Sequence, residues 1–493
     1  MDGTQTTPAA VIPQHAMYPL SALDVLFERT TFVTGWLVEG TIDSVALGAA
    51  LTRLTEKWRM LAGRLVSQNV SEKIEWYLRI PLGPLPSHDE YPTFSLTTTI
   101  SGQPLTDYVS IPFTSPSPSF PPIIFIHPST PRRYSIWEGT SHPLTCWHLT
   151  YFPAGAENNR DYTCIGFSRS HGLFDGGGAA MVMRALVAEM NGTDWVVPPL
   201  PLAYPRTNVN PIKECVEREV RIQDAQLGGS GNDYSGMAIL GIKGALKLAA
   251  WHVKEKWWGG AQRQIVLLPK DGLTALVEAA RSEIKKCKGN AAGITTGDVL
   301  VAWLLKTIYS EGTSPDTTVN CGNLASFRHL IPSSDQSIEL YPHNAFAPLP
   351  YPLFTVSDLQ TIPLHELTHI LHTTRSSYSL NHVGQGYKLV TQSVTTFLVS
   401  PNAHENLLVS NVSASRILES DWRAVGAKRT VCGYRYQVTP NELLLTNSIF
   451  IAGRLEDGST VLDVTLNKLR AGLLMEEVRR LSGFRRMRVD IDA

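Results

Sequence analysis

The sharpest change of hydrophobic period along the chain falls between residues 162 and 190. Tyr162-Thr163-Cys164-Ile165-Gly166-Phe167 is short, apolar and rich in β-formers, the pattern of a buried strand. Further on, Met183, Leu186, Val187 and Met190 recur at the 0, 3, 4, 7 spacing of one helical face. Gly176, Gly177 and Gly178 separate the two periods, where a tight turn or a close backbone approach would need them. The pattern predicts strand, turn and helix, with His171 at the C-terminal end of the strand and Asp175 in the turn.

Similar periods place other elements. Ile42 to Trp58 reads as a helix with Leu47, Leu51, Leu54 and Trp58 on one face and Asp43 or Ser44 as its cap. A Ser/Pro-rich loop from Thr114 to Pro122 precedes a strand-like Ile123-Ile124-Phe125-Ile126. Met237 to Trp258 reads as a helix with Lys243, Lys247 and Lys254 on one side. Such a helix can rest on a membrane surface or cover a domain; covering helices are commoner, so membrane contact is not expected. Thr295 and Asp298 have capping-box spacing, and Leu300, Trp303, Leu304 and Ile308 line the helix that follows. Asn323 to Arg328 reads as a strand, and Asn447 to Ile451 with Val461 to Leu466 as a hairpin around Glu456-Asp457-Gly458. Residues 1–18 read as a disordered tail, and 205–262 as a crossover, flexible at Gly228 to Asp233.

At 493 residues, two domains are the natural expectation. A hydrophobic share of 43% and a charged share of 18% fit a soluble globular protein, and a net charge of −1 argues against a nucleic-acid binder. Cys146, Cys164, Cys215, Cys287, Cys321 and Cys432 are scattered without a C-x-x-C pair, which suits reduced cytosolic thiols better than disulfides or zinc. No basic start leads into an apolar run, so no secretory signal is read and a cytoplasmic location is expected. The glycosylation-like triplets at Asn69, Asn191 and Asn411 then carry no meaning, and no stretch has the length and apolarity of a membrane span.

Two stretches carry candidate chemistry. A neutral imidazole at a strand end can take a proton near pH 7, which nominates His171 as a general base. Asp175 could pair with a cation or hold the turn by accepting N–H bonds. The other stretch is His365-Glu366-Leu367-Thr368-His369, an H-E-x-x-H string. A zinc site there lacks the extension that would bring a third ligand, although a distant Glu such as Glu405 stays open. The preferred reading is an amphipathic helix with Leu364, Leu367, Ile370 and Leu371 inward and the histidines outward, so no metal is expected.

The string His171 to Gly176 resembles the H-x-x-x-D-G motif of the BAHD acyltransferases and of peptide-synthetase condensation domains, both within the CoA-dependent acyltransferase superfamily. Leu61-Ala62-Gly63-Arg64-Leu65 resembles the L-A-G-R-L that follows the BAHD N-terminal helix. Asn323 to Arg328 resembles its V-D-x-R segment, with Ser326 in place of the acid and Arg328 retained. Asp421-Trp422-Arg423-Ala424-Val425-Gly426 resembles a degraded D-F-G-W-G, in which Arg423 replaces Gly, Val425 replaces Trp, and Val412 replaces an upstream Trp. The likeness runs from about residue 18 to 485 and is nearest the fungal branch, which acylates secondary-metabolite alcohols.

The resemblance implies an α/β fold of two similar chloramphenicol-acetyltransferase-like domains, each a mixed sheet with helices, and an active-site tunnel at their interface. It divides the chain into 18–205, a crossover at 206–262, and 263–493, with residues near 421–446 lying against the first domain. It implies acyl-CoA as co-substrate, no tightly bound cofactor, a small-molecule acceptor and a monomer. His171 is the implied base, Gly176 N–H an oxyanion donor, and Asp175 and Asp421 structural acids competing for Arg328. Two alternatives stay open: a condensation-like or cyclising enzyme without free CoA, and a non-catalytic binding homologue. Ser170, where condensation domains have a second His, and the absence of a carrier domain speak against the first. Retention of both His171 and Asp175 speaks against the second.

Overall fold

The computed structural model describes residues 14–489 apart from 112, 114, 156–158, 200–208, 228–233, 333–339, 394, 395, 441 and 443. The flexible stretch read at 228–233 and most of the tail lie outside the described residues. The strand Tyr162–Ser170 is buried along its whole length. It lies at the centre of a five-stranded sheet, in the order Arg429–Val438, Thr31–Glu39, Tyr162–Ser170, Thr145–Phe152, Ser95–Ile100. The last pair is parallel and the others antiparallel. A strand paired on both edges and covered on both faces has no reason to alternate, hence its continuous apolar run.

Gly35 and Gly166 face each other across this sheet. A Cβ on Gly166 would lie 1.8 Å from the Phe125 carbonyl oxygen, and one on Gly35 would lie 2.5 Å from the Phe125 ring. The two glycines open a hole that Phe125 fills. The segment Ile123 to Ile126 is therefore not the predicted strand. Pro121 and Pro122 fix φ and withhold donors, so the chain makes a 3-10 turn, Pro122–Ile124, and drops Phe125 into the hole.

The second sheet has eight strands, running Phe346–Pro348, Thr318–Ser326, Glu405–Asn411, Ser448–Arg454, Thr460–Leu466, Gln262–Leu268 and Ser117–Pro118, with Phe354–Thr355 also on Thr318–Ser326. The two sheets exchange strands. Arg429–Val438, from the C-terminal half, pairs with Thr31–Glu39, while Ser117–Pro118, from the N-terminal half, pairs with Gln262–Leu268. Ladder bonds of each half thus depend on the other, which fixes the relative placement of groups brought from both.

Local signals explain most boundaries. The Asp43 side chain caps Ser44–Lys57 by accepting from Val45 and Ala46 N–H, and Thr295 with Asp298 makes a reciprocal capping box on Thr296–Ile308. Within the stretch read as tail, His15–Pro19 is a strand on Lys73–Pro81, because Ala16 and Tyr18 are apolar enough to bury. The helix expected from Met237 is Ile242–Trp257, since Ala238–Ile239 pairs with Thr396–Phe397 first. The strand expected at Asn323 to Arg328 is Thr318–Ser326, and Arg328 starts a 3-10 turn. Among the described residues no helix is long and apolar enough to cross a membrane.

Candidate active site

His171 follows the strand Tyr162–Ser170 directly, and its main chain is held on both sides. Its N–H donates to the Thr30 carbonyl at 2.8 Å, and its carbonyl accepts from Asn344 Nδ2 at 2.9 Å. The ring lies between Phe27 and Phe346, stacked at centroid distances of 4.4 and 5.6 Å, with Phe32 edge-on at 5.0 Å. It is buried, not solvent-facing as a plain strand end would be. Nδ1 is enclosed against the residue's own main chain with no partner from another residue, which leaves Nε2 to the adjoining cavities.

Asp175 caps the helix Gly176–Asn191 by accepting from Gly178 N–H at 2.8 Å. Its carboxylate also takes both terminal nitrogens of Arg328, at 2.8 and 3.0 Å, and the Ala345 N–H at 3.2 Å. Of the two acids considered for Arg328, Asp175 is the one that meets it. Asp421 lies elsewhere, 45% exposed, bonded to the Arg423 N–H and paired with its guanidinium. Asp421 follows the degraded loop outward because Trp422 takes the interior place, against Trp36 and Trp147.

Residues 341–346 hold this turn, and nothing in their local period marks them. Tyr341 and His343 carbonyls accept from Arg328. His343 Nδ1 donates to the Leu173 carbonyl at 2.6 Å, Asn344 grips His171, and Phe346 stacks on its ring. Asn344 is positioned in turn by Asp24, whose carboxyl accepts its N–H at 3.0 Å. The only local hint in the sequence is a pair of polar residues, His343 and Asn344, directly before apolar Ala345.

Burial dominates the electrostatics. It pushes His171 down to about 3, with Arg169 and Arg435 adding to the effect and Asp175 opposing it. Arg169 bonds to Thr34 Oγ1, and Arg435 to the Ser410 carbonyl and hydroxyl; their guanidiniums lie over the Phe32 ring at 5.5 and 4.7 Å. Burial and the two arginines therefore hold the His171 ring in its neutral form across the physiological range.

Two cavities meet at His171. One, of about 350 Å³, is mostly apolar and includes Phe27, Phe32, Leu248, Trp251, Leu408 and Phe450. The other, of about 280 Å³, includes Asp175, Gly176, Arg328, Phe346, Val412 and Arg435. They share His171, Leu324 and Ser410. The second adjoins a larger cavity of about 790 Å³ through Leu324, Ser326, Asn411 and Ala414. That cavity carries Lys270, Arg375, Arg416 and Arg454 together with Asp298 and Glu419. Arg375 and Arg416 are neutralised by those two acids, whereas Lys270 and Arg454 meet no carboxylate among the described residues.

His365 and His369 lie far along the sequence on the helix Leu364–Ser376, whose inward face is Leu367, Thr368 and Leu371. His365 Nε2 is 3.9 Å from Cys287 Sγ. Among the described residues no group of three metal-ligating side chains comes together.

Solved structures share this fold over nearly the whole chain, so the resemblance read from the sequence holds at the level of fold. TRI101 of F. graminearum, solved with coenzyme A and T-2 mycotoxin, shares it at a TM-score of 0.63 and 13% identity, over 93% of this chain and 97% of that one. A condensation domain of the calcium-dependent antibiotic synthetase shares it at 0.53 and 13% identity, over 94% and 96%. In sequence, the O-acyltransferase pboC of Aspergillus ustus is 25% identical over 190 residues, which is 38% of this chain. The match spans about a third of that relative's length, 35%. No family model matches the chain.

Proposed function

We propose that the protein transfers an acyl group from acyl-CoA to a hydroxyl or amine of a small, largely apolar acceptor, with His171 as general base. The observation that carries this is the placement of His171 Nε2 where an apolar cavity meets a path toward a cationic one. The apolar side suits the acceptor. Lys270 and Arg454 on the other side suit the phosphates of CoA. His171 takes the acceptor proton as its oxygen or nitrogen attacks the thioester carbonyl. The tetrahedral oxyanion collapses, the C–S bond breaks, and the imidazolium returns the proton to the CoA sulfur. No covalent acyl-enzyme forms. The fungal O-acyltransferase likeness and the coenzyme A and T-2 mycotoxin bound in TRI101 agree with this direction.

The condensation-like reading shares the fold. Ser170 in place of a second His and the cationic cavity favour free CoA over a carrier. Incubation with acetyl-CoA and a panel of alcohols and amines, read by acceptor-dependent thiol release, tests the proposal. His171→Ala should lower turnover per folded molecule at least about 10²-fold, beyond whatever stability the lost ring packing costs. Near wild-type thiol release by that variant would refute the role of His171.

A further inference from the structure

We infer that the exposed face of the helix Ile242–Trp257 docks on an anionic lipid bilayer. Ile242 and Leu246 are 81% and 66% exposed, and Trp257 and Trp258 are 72% and 76% exposed. Ile242, Leu246, Val253, which is also exposed, and Trp257 follow one another at steps of four, seven and four residues, which puts them along one face. A monomeric surface rarely leaves so many large apolar side chains in one strip without a partner.

Charge selects the partner. Lys243, Lys247 and Lys254 border the strip on one side and Lys256 on the other, and all four are exposed. The helix has a single acid, Glu255, which is buried on the opposite face and bonded to Asn467 Nδ2 at 2.9 Å. An apolar strip framed by lysines, with tryptophans at its end, matches an interface of acyl chains beneath anionic headgroups. Lysine stems can lie along the apolar layer while their ammonium groups reach the phosphates.

The inner face of the same helix gives the docking a use. Leu248, Trp251 and His252 line the apolar cavity that reaches His171. The helix is thus at once a wall of that cavity and the docking surface. An acceptor dissolved in the bilayer would enter beside this wall without crossing water. This second step rests on the proposed acyl transfer, whereas the docking itself does not.

The test is co-sedimentation of the full chain with vesicles of phosphatidylcholine alone and of phosphatidylcholine with phosphatidylserine. Binding should favour the anionic vesicles and weaken with added salt. Leu246→Glu combined with Trp257→Ser, and Lys243→Gln combined with Lys247→Gln and Lys254→Gln, should each weaken it by at least about tenfold, with melting temperature unchanged. Thiol release on a water-soluble acceptor should be kept by both variants, while release on an acceptor embedded in vesicles falls. Failure of the wild-type chain to sediment, or undiminished binding by both variants, would overturn the inference. So would concentration-dependent self-association in light scattering that the Leu246→Glu and Trp257→Ser pair abolishes, which would assign the face to a second copy. If no acceptor supports thiol release, the acyl-transfer proposal fails while the vesicle measurement still decides docking.

Discussion

Removing the Asp175 carboxylate tests whether it acts through architecture or through proton transfer. Asp175→Ala deletes the partner of both Arg328 terminal nitrogens, the cap on Gly178 N–H and the acceptor for Ala345 N–H. Breaking a buried ion pair from one side costs about 3–5 kcal/mol. Losing the cap adds about 1 kcal/mol. Arg328 keeps the Tyr341 and His343 carbonyls, which holds the sum near the lower end, about 4 kcal/mol. At ~2.1 cal/mol/K per residue, a chain of 493 residues has an unfolding entropy of about 1 kcal/mol/K. Asp175→Ala should then lower the melting temperature by about 4 °C if the chain melts as one unit, and by about 8 °C if half of it melts alone. Asp175→Asn keeps the shape and one acceptor oxygen and should cost about half as much. Calorimetry gives the melting temperature, and thiol release well below it gives turnover. Turnover should fall along with stability, because the same loop that grips Asp175 also places Asn344 and Phe346 on His171. Abolished turnover in Asp175→Asn at an unchanged melting temperature would refute this and put the carboxylate in the proton path.

Burial holds His148, His252 and His343 down to about 4 and His171 to about 3, and pushes Asp24 up to about 7. Between roughly pH 6.5 and 4 the unfolded chain therefore binds four more protons on these histidines and one fewer on Asp24. Stability should fall as pH drops, by up to about 4 kcal/mol per pH unit for the net three protons. Melting curves across that range check this, and a melting temperature that stays flat to pH 4.5 would contradict it. The acid limb of activity should track unfolding rather than an imidazole titration near 6.5, so turnover per folded molecule should stay level there. Gly178→Ala would bring a Cβ within 1.8 Å of the Pro342 carbonyl oxygen, backbone against backbone, so it should yield little folded protein, as expression and circular dichroism would show. His365→Ala and His369→Ala should be close to neutral and chelators without effect; stoichiometric zinc lost in either variant would show otherwise.

The sequence carried the parts of the site that are local. His171, its strand, its turn and the capping role of Asp175 all follow from a change of period within a few residues. Arg328 could be named but not paired, because pairing depends on how the second sheet presents its strand end to the first. Residues 341–346 were invisible for the same reason. They make their contacts with the His171 turn and Arg328 through the Tyr341 and His343 carbonyls, the Ala345 N–H and the side chains of His343, Asn344 and Phe346, and such contacts from an irregular segment leave no periodic pattern. Phe27 and Phe32 are close neighbours in the chain, but Arg435 is about 400 residues on and reaches Phe32 through the strand exchange. The misread segment at Ile123 to Ile126 has a different cause. Its residues are β-formers, but two prolines before it and a hole made by two glycines across the sheet override the propensity.

The electrostatic setting of His171 bears on how the proposed reaction proceeds. Arg169 and Arg435 oppose a positive charge on the ring, so an imidazolium formed on its own would be strongly disfavoured. In acyl transfer it never forms on its own. The proton reaches Nε2 as negative charge develops on the thioester oxygen in the same enclosure, where each charge is worth more than in water. The arginines that penalise the imidazolium favour the oxyanion, and Arg435 lines the cavity on that side. Their net effect on the intermediate is therefore smaller than on the protonated resting enzyme. The arrangement suits the proposed base, which must be free of protons between turnovers and take one during attack. It works against any chemistry that must begin from a protonated His171, which is what an acid-first role on a carrier-bound substrate would require.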